Sequence, residues 1–400
     1  MNAASSGNGN DGARPVRSLT IGLVAGESSG DNLGAALIEA IAARAPGTRF
    51  VGVAGPRMQA AGCERVADAH ELAVMGLFEV LHHLPRLLSL RRRVRAVMRE
   101  LKPDVFVGID APEFNLGLAA DLHEAGLRTV QYVSPQVWAW RRGRAGRMAR
   151  YLDLVLCLLP FEQAVYDEAG LAAIFVGHPL ADQLPLTPDA GSARRELGIE
   201  PEARVVAILP GSRTGEVARL ADDFAGTAAW LAARRPGVAF VAALADAATR
   251  ATFEVALRRR APGVAVRVVE GQTQAALNAA DVVLVASGTA TLETLLCKRP
   301  MVVAYRLGGL TAFLLRGLGL LKAPFFAQPN LLAGRQVVPE LAQGEVTPER
   351  LGAELERWLD APEEVSKLQS LFTDLHGQLR RDASGQAAQA VLALARGTPS

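Results

Sequence analysis

The chain is a succession of short apolar runs, each closed by a polar or glycine-bearing loop and followed by a stretch with helical spacing. The first run, Leu19 to Ala25, ends in Gly26-Glu27-Ser28-Ser29-Gly30-Asp31, and from Asn32 the pattern turns helical as far as Ala45-Pro46-Gly47. Short apolar runs bounded by turn signals predict buried strands. The same signal recurs at Phe50 to Ala54, Val105 to Ile109, Thr129 to Val133 and Leu154 to Leu159. Pro179, Pro185, Pro188 and Gly191 then punctuate the region near 180–203. A second series opens at Arg204 to Leu209 and continues through Val238 to Ala243, Val264 to Val269, Val282 to Ala286 and Met301 to Ala304. Apolar strands alternating with helices predict parallel sheets covered on both faces. The expected class is α/β, with two Rossmann-like doubly wound domains facing a cleft where the loops after the strand C-termini converge. The expected bounds are a disordered lead-in over 1–18, domains over 19–183 and 184–346, and a charged helical segment over 347–400 that packs back on the first domain.

Composition narrows this picture. Four hundred residues, 50% hydrophobic and 21% charged, suffice for two buried cores and leave no reason for long disorder. Cys63, Cys157 and Cys297 lie too far apart for a disulfide framework or a zinc knuckle. Residues 1–18 are polar and glycine-rich, unlike a signal peptide. No window offers roughly 18 consecutive apolar residues, so no spanning segment is expected. The nearest approach, Leu307 to Leu321, is broken by Arg316. A cytoplasmic location is therefore expected. Yet mean hydropathy is +0.17, high for a soluble chain.

Net charge is only +2, but arginines cluster at Arg86, Arg91, Arg92, Arg93, Arg95 and Arg99, with Lys102, and again at Arg141, Arg142, Arg144, Arg147 and Arg150. Such runs fit a solvated helix face or a surface that meets anions, and charge alone leaves both open. Just before the first cluster, Leu77, Val80, Leu81, Leu84, Leu87 and Leu88 recur at helical spacing. Core packing and burial at a membrane interface both account for that stripe.

Three loops have residues suited to chemistry. Pro210-Gly211-Ser212-Arg213 lies between a strand and a helix, where free amides and an arginine can cradle an anion. Ser287-Gly288-Thr289-Ala290-Thr291-Leu292-Glu293 offers hydroxyls and amides for a diphosphate, then a carboxylate suited to a ribose diol. A simple turn or cap explains either loop alone; together they favour nucleotide binding. Gly108-Ile109-Asp110-Ala111-Pro112-Glu113-Phe114-Asn115 puts Asp110 at a strand end, as a general base for a sugar hydroxyl or as a helix cap. Gly22, Gly26 and Gly30 are not at dinucleotide spacing, so a nicotinamide cofactor is not expected. His82, His83 and His178 have no metal-ligand spacing, and no Gly-x-Ser-x-Gly elbow occurs.

Taken together, these loops resemble the lipid-A-disaccharide synthase family. The resemblance rests on Ala25-Gly26-Glu27-Ser28-Ser29-Gly30-Asp31, Gly52-Val53-Ala54-Gly55-Pro56-Arg57-Met58, Leu72-Ala73-Val74-Met75-Gly76 and the Asp110 loop. It continues through Tyr132-Val133-Ser134-Pro135-Gln136-Val137-Trp138-Ala139-Trp140-Arg141, Leu158-Leu159-Pro160-Phe161-Glu162, Gly177-His178-Pro179-Leu180-Ala181-Asp182, both nucleotide loops and Pro329-Asn330-Leu331-Leu332-Ala333-Gly334-Arg335. The blocks run in order from about Thr20 to Ala395.

The resemblance implies a GT-B fold and an inverting transfer of 2,3-diacylglucosamine from its UDP derivative to 2,3-diacylglucosamine 1-phosphate, in the lipid A biosynthesis of Gram-negative bacteria. It implies donor contacts at Arg213, Ser287, Gly288, Thr289, Glu293, Asn330 and Arg335, and Asp110 as the essential acid. Acceptor or cleft roles fall to Glu27, Ser28, Ser29, Asp31, Met75, Gln136 and Trp138. The leucine-rich stripe at Leu77, Val80, Leu81, Leu84, Leu87 and Leu88 would meet acyl chains or membrane. No metal or other cofactor is implied, the UDP-sugar being a substrate. The enzyme would sit peripherally on the anionic cytoplasmic face of the inner membrane, with a possible homodimer through the C-terminal segment and no nucleic-acid partner. The polar N-terminus and Ala327-Gln328 before Pro329 depart from the family pattern. Three rivals stay open: a GT-B enzyme using a lipid-linked muramyl peptide, a UDP-sugar 2-epimerase, and a non-catalytic lipid-surface protein.

Overall fold

The computed structural model describes residues 18–72, 77–135, 142–306 and 325–397. Two parallel sheets organise it. The first contains β1 (Thr20–Ala25), β2 (Arg49–Ala54), β3 (Cys63–Asp68), β4 (Val105–Ile109), β5 (Thr129–Tyr132), β6 (Leu154–Cys157) and β7 (Ala173–Phe175), in the order β3-β2-β1-β4-β5-β6-β7. The second contains β8 (Arg204–Leu209), β9 (Val238–Leu244), β10 (Val266–Glu270), β11 (Val282–Ala286), β12 (Met301–Tyr305) and β13 (Glu340–Ala342), in the order β10-β9-β8-β11-β12-β13. In both, strand order reverses beside the first strand of the series: β1 lies between β2 and β4, and β8 between β9 and β11. Such a switch point opens a crevice beyond the strand C-termini, the usual ligand site of doubly wound sheets.

Three strands exceed the sequence expectation. β3, β7 and β13 each lie at a sheet edge, and their residues are partly solvated, as in the buried–exposed–exposed start of Cys63-Glu64-Arg65. β3 and β13 carry charged residues that interrupt an apolar run, and β7, although apolar, is only three residues long. The central strands are the reverse: every residue of β4 and of β11 is buried.

The described residues divide into two compact units, one drawn from 1–132, 151–153 and 387–400, the other from 133–150 and 154–386. Helix packing follows the apolar stripes. In the helix Thr214–Arg234, Val217, Leu220, Ala221, Phe224, Ala228 and Leu231 are buried, three or four residues apart, against the second sheet. Proline stands in the first turn of the helices Pro56–Ala60, Pro112–His123, Pro179–Gln183, Pro348–Asp360 and Pro362–Leu379, where its missing N–H costs no hydrogen bond.

The C-terminal segment is helical, as expected. Pro348–Asp360 and Pro362–Leu379 supply Leu351, Leu355, Trp358, Phe372 and Leu379 to the second core. The last helix, Ala383–Arg396, returns to the helix Glu27–Arg44 of the first unit, and its Leu394 carbonyl accepts a hydrogen bond from Arg128.

The apolar stripe and first arginine cluster form one helix, Leu77–Leu101, with Pro85 inside it. Leu90, Val94 and Met98 are buried at four-residue spacing, whereas Leu88 is 44% exposed and Leu87 half-buried. The side chains of Leu77, Val80, Leu81 and Leu84 lie outside the described residues, as does Leu307 to Leu321. No described helix is long and apolar enough to cross a membrane. The arginines are not all available to outside anions. Arg91 and Arg95 pair with Asp121, Arg99 donates to the Asp121 carbonyl and Arg93 to that of Val66.

Candidate active site

β1 and β4 pair in parallel with Ala25 opposite Ile109, so the loops that follow leave the first sheet side by side. Gly26 permits their close approach: a Cβ there would come within 2.8 Å of the Ala111 Cβ. Beyond this contact both loops turn left-handed on residues that have side chains. Glu27 has φ 58°, Asp110 φ 53° and Ala111 φ 40°. Each such residue costs about 1–3 kcal/mol of backbone strain, which persists only where the surroundings over-determine it. Val133, the β-branched residue after β5, repeats the pattern at φ 74°.

Glu27 and Asp110 are both half-buried, with Ser28 and Ser29 exposed on the first turn of the helix Glu27–Arg44. The lip of the sheet therefore presents two acidic residues and two hydroxyls beside a helix N-terminus. Met75, Gln136 and Trp138 lie outside the described residues.

Asp31 occupies a different environment. It is 4% exposed, and its carboxylate accepts hydrogen bonds from the backbone N–H groups of Gly55, Arg57 and Met58 at 2.9, 2.9 and 3.0 Å. It thereby caps the helix Pro56–Ala60. A Cβ at Gly55 would fall 2.5 Å from this carboxylate, which explains the glycine. Asp31 builds the wall of the site, leaving Glu27 and Asp110 as the acids at its lip.

Two residues without a role assigned from the sequence hold the Asp110 backbone. The Asn115 side-chain amide donates to the Asp110 carbonyl at 2.8 Å, and the Gln131 amide donates to the same oxygen at 3.1 Å. Gly108 makes room for both: a Cβ there would lie 2.8 Å from that of Asn115 and 3.2 Å from the Gln131 Oε1.

The second sheet offers the corresponding pair of loops. β8 and β11 pair with Leu209 opposite Val285. Beyond β8, Gly211 takes φ 130°, and a Cβ there would meet the Glu216 Cβ at 2.9 Å. Arg213 is exposed at the N-terminus of the helix Thr214–Arg234. Glu216 accepts from the Ser212 N–H at 3.3 Å and so occupies one amide of the expected anion cradle. Beyond β11, Gly288 takes φ 156° and is exposed together with Thr289, the first residue of the helix Thr289–Leu296. Ser287 is half-buried, its hydroxyl donating to the Phe326 carbonyl at 3.1 Å.

Glu293, one turn into this helix, is half-buried, and its carboxylate has no hydrogen-bond or ion-pair partner among the described residues. Burial raises its carboxyl pKa above the usual glutamate value. A desolvated acceptor beside exposed amides suits a diol or amide donor.

Asn330, by contrast, is fully buried and fully occupied. Its Nδ2 donates to the Val338 carbonyl and to Glu340 at 2.9 and 2.7 Å; its Oδ1 accepts from the N–H groups of Val337 and Val338 at 2.7 and 2.9 Å. No capacity remains for a ligand, so Asn330 acts on the loop and not on a substrate. Glu340 completes this brace by accepting from the N–H groups of Phe326 and Ala327 at 2.8 and 2.9 Å. Arg335 is exposed just beyond the left-handed Gly334.

The far end of the helix Thr289–Leu296 is tied down as well. Lys298, 5% exposed, donates to the Leu296 carbonyl at 2.5 Å and meets the His376 ring, which contacts the Ala181 carbonyl at 2.8 Å. Burial lowers the Lys298 pKa to about 8. No group of three or more His, Cys, Asp or Glu among the described residues is placed to hold a metal ion.

Comparison with known proteins identifies the family and the fold. A family model described as lipid-A-disaccharide synthetase matches residues 21–391. A lipid-A-disaccharide synthase of Pectobacterium atrosepticum is 50% identical over 378 residues, covering 94% of this chain and 98% of the relative. Among solved structures, a UDP-glucosyltransferase from Polygonum tinctorium aligns with a TM-score of 0.60 at 12% identity, over 95% of this chain and 99% of that one. The UDP-GlcNAc 2-epimerase from Neisseria meningitidis, bound to UDP-GlcNAc, also gives 0.60, at 11% identity over 94% and 98%. At such identities the two structures establish the GT-B-like fold alone, which transferases and epimerases share. The half-identical relative separates those activities.

Proposed function

The chain belongs to the lipid-A-disaccharide synthetase family, and from that premise we propose how its residues divide the reaction. The enzyme is a glycosyltransferase of lipid A biosynthesis. It transfers 2,3-diacylglucosamine from UDP-2,3-diacylglucosamine to 2,3-diacylglucosamine 1-phosphate, releasing UDP and a β-1,6-linked tetraacyl disaccharide 1-phosphate. The family match across residues 21–391 carries this conclusion.

In the proposed mechanism Asp110 takes the proton from the acceptor 6-hydroxyl as that oxygen attacks the anomeric carbon. The bond to UDP breaks in the same displacement, with inversion. Charge developing on the UDP diphosphate is met by Arg213 and by the N–H groups that open the helices Thr214–Arg234 and Thr289–Leu296. Glu293 accepts hydrogen bonds from the ribose diol, which its burial and lack of a protein partner support. With cationic and amide groups assigned to the leaving charge, this chemistry asks for no metal.

The reading also places the enzyme at the anionic inner-membrane surface. The exposed Leu88 beside Arg86 and Arg92 on the helix Leu77–Leu101 supports that part. Liposome flotation tests it: Leu87→Ser with Leu88→Ser should weaken binding, and unchanged binding would refute that surface. Self-association through the C-terminal helices belongs to the same reading and is testable by sedimentation.

The deciding experiment is a mass-detected coupling assay with the two acylated sugars, chelator present and no added metal. It should yield the tetraacyl disaccharide 1-phosphate and one UDP per product. A requirement for added metal would remove the metal-free mechanism, and conversion of the UDP-sugar without acceptor would favour an epimerase. Replacing Arg213 by Ala should weaken UDP binding; unchanged affinity would remove its phosphate role.

A further inference from the structure

We infer that Asn115 and Gln131 are positioning residues for the transfer: their side-chain amides clamp the Asp110 carbonyl, hold Asp110-Ala111 in its left-handed turn, and so set where the Asp110 carboxylate points. The inference rests on the reading of Asp110 as general base.

The Asp110 carbonyl lies just beyond the last residue of β4. Asn115 Nδ2 reaches it at 2.8 Å and Gln131 Nε2 at 3.1 Å. The same Asn115 nitrogen lies 3.3 Å from the carbonyls of Val24 and Ile109, so one amide joins the ends of the two strands that lead to Glu27 and Asp110. Gln131 Nε2 also donates to the Tyr132 carbonyl at 3.3 Å, and that oxygen accepts from the Asp110 N–H at 2.9 Å. Asp110 is thereby held through both its N–H and its carbonyl.

The orientation of the Asn115 amide is fixed by chemistry. Three carbonyl oxygens surround one side of it, so that side must be the NH2 group. Its Oδ1 is left buried without a hydrogen-bond partner among the described residues. Asn115 and Gln131 are 0% and 1% exposed. A fully buried amide that tolerates an orphaned oxygen in order to hold one strained carbonyl is poor design for stability alone. It is what two successive left-handed residues require, because alanine resists that backbone and aspartate enters it only as an occasional single residue.

Asn115→Leu and Gln131→Met remove the donors while keeping the volume nearly constant. Each should lower kcat in the coupling assay by about 10- to 100-fold, the scale of a small misplacement of a reacting group. KM for the UDP-sugar and the affinity for UDP should stay unchanged. The rising limb of the pH–rate profile should persist, because the carboxylate remains, whereas Asp110→Asn should abolish it. If Asp110→Asn is slow but both clamp variants, folded by thermal melting, turn over at the wild-type kcat, the positioning role is overturned and the base assignment survives. Should Asp110→Asn itself keep the wild-type rate, the base assignment fails first. A parallel loss of kcat and UDP affinity, or failure of both clamp variants to fold, would make the amides determinants of the fold and overturn the inference equally.

Discussion

In the first sheet the loops beyond the two central strands turn to positive φ on Glu27, Asp110 and Ala111; in the second, positive φ falls on Gly211 and Gly288. The two sheets share their strand order around the switch point, so the crevices are built alike and only the residues differ. Glycine removes the side chain and lets a ligand approach the backbone, which suits a diphosphate held by N–H groups. A residue with a functional side chain has no such freedom and must be braced, which suits a base that has to be aimed. The difference fits the proposed division, with nucleotide binding at the loops of the second sheet and proton transfer at those of the first.

The largest effect that bears on this division is expected at Asp110. Asp110→Asn keeps the size of the side chain and removes the base, and should lower kcat by about 10²- to 10⁴-fold. A variant that released UDP at the wild-type rate would erase the distinction between the sheets.

Next in size is Glu293→Gln. It should weaken UDP binding about tenfold, the loss of roughly one charged hydrogen bond. Its pH dependence sharpens the assignment. Because burial raises the Glu293 pKa, wild-type affinity should begin to fall on acidification above the pH where an ordinary glutamate protonates, near 4.5. The carboxylate form accepts from the diol and the protonated form has lost that capacity, so the loss runs toward low pH. Glu293→Gln should show no such fall, and identical pH profiles in UDP titrations would remove Glu293 from the ribose.

The smallest effect is at Ala111→Gly. Relief of the left-handed strain, offset by glycine's extra freedom in the unfolded chain, should leave stability within about 1 kcal/mol of wild type in denaturant titrations. A loss well beyond that would mean that the Ala111 methyl, and not the backbone turn, is what the site needs.

What was legible in the sequence follows the same physics. Central strands such as β4 and β11 stand out because both faces are buried, whereas β3 and β13 are interrupted by charged residues and β7 is only three residues long. Loop chemistry was legible only as residue type. Asp31 and Asn330 sit among loop residues like Asp110 and Glu293, yet they bond backbone amides inside the protein. No local spacing separates a polar side chain turned inward from one turned toward a substrate, because the partners lie 24 residues away for Gly55 and Asp31. The clamp from Gln131 to Asp110 spans 21 residues and was hidden for the same reason. Arg91, Arg95 and Arg99 read as one charged face, although all three are committed to Asp121.

The most direct test of the division is a side-by-side titration of UDP into the Asp110→Asn and Gly211→Ala variants. At Gly211 an added Cβ would press on Glu216 at 2.9 Å in a backbone conformation that alanine resists. The account predicts wild-type UDP affinity for Asp110→Asn and a loss of about tenfold or more for Gly211→Ala, as oriented amides leave the phosphates. Equal affinities in the two variants, or a loss confined to Asp110→Asn, would contradict it.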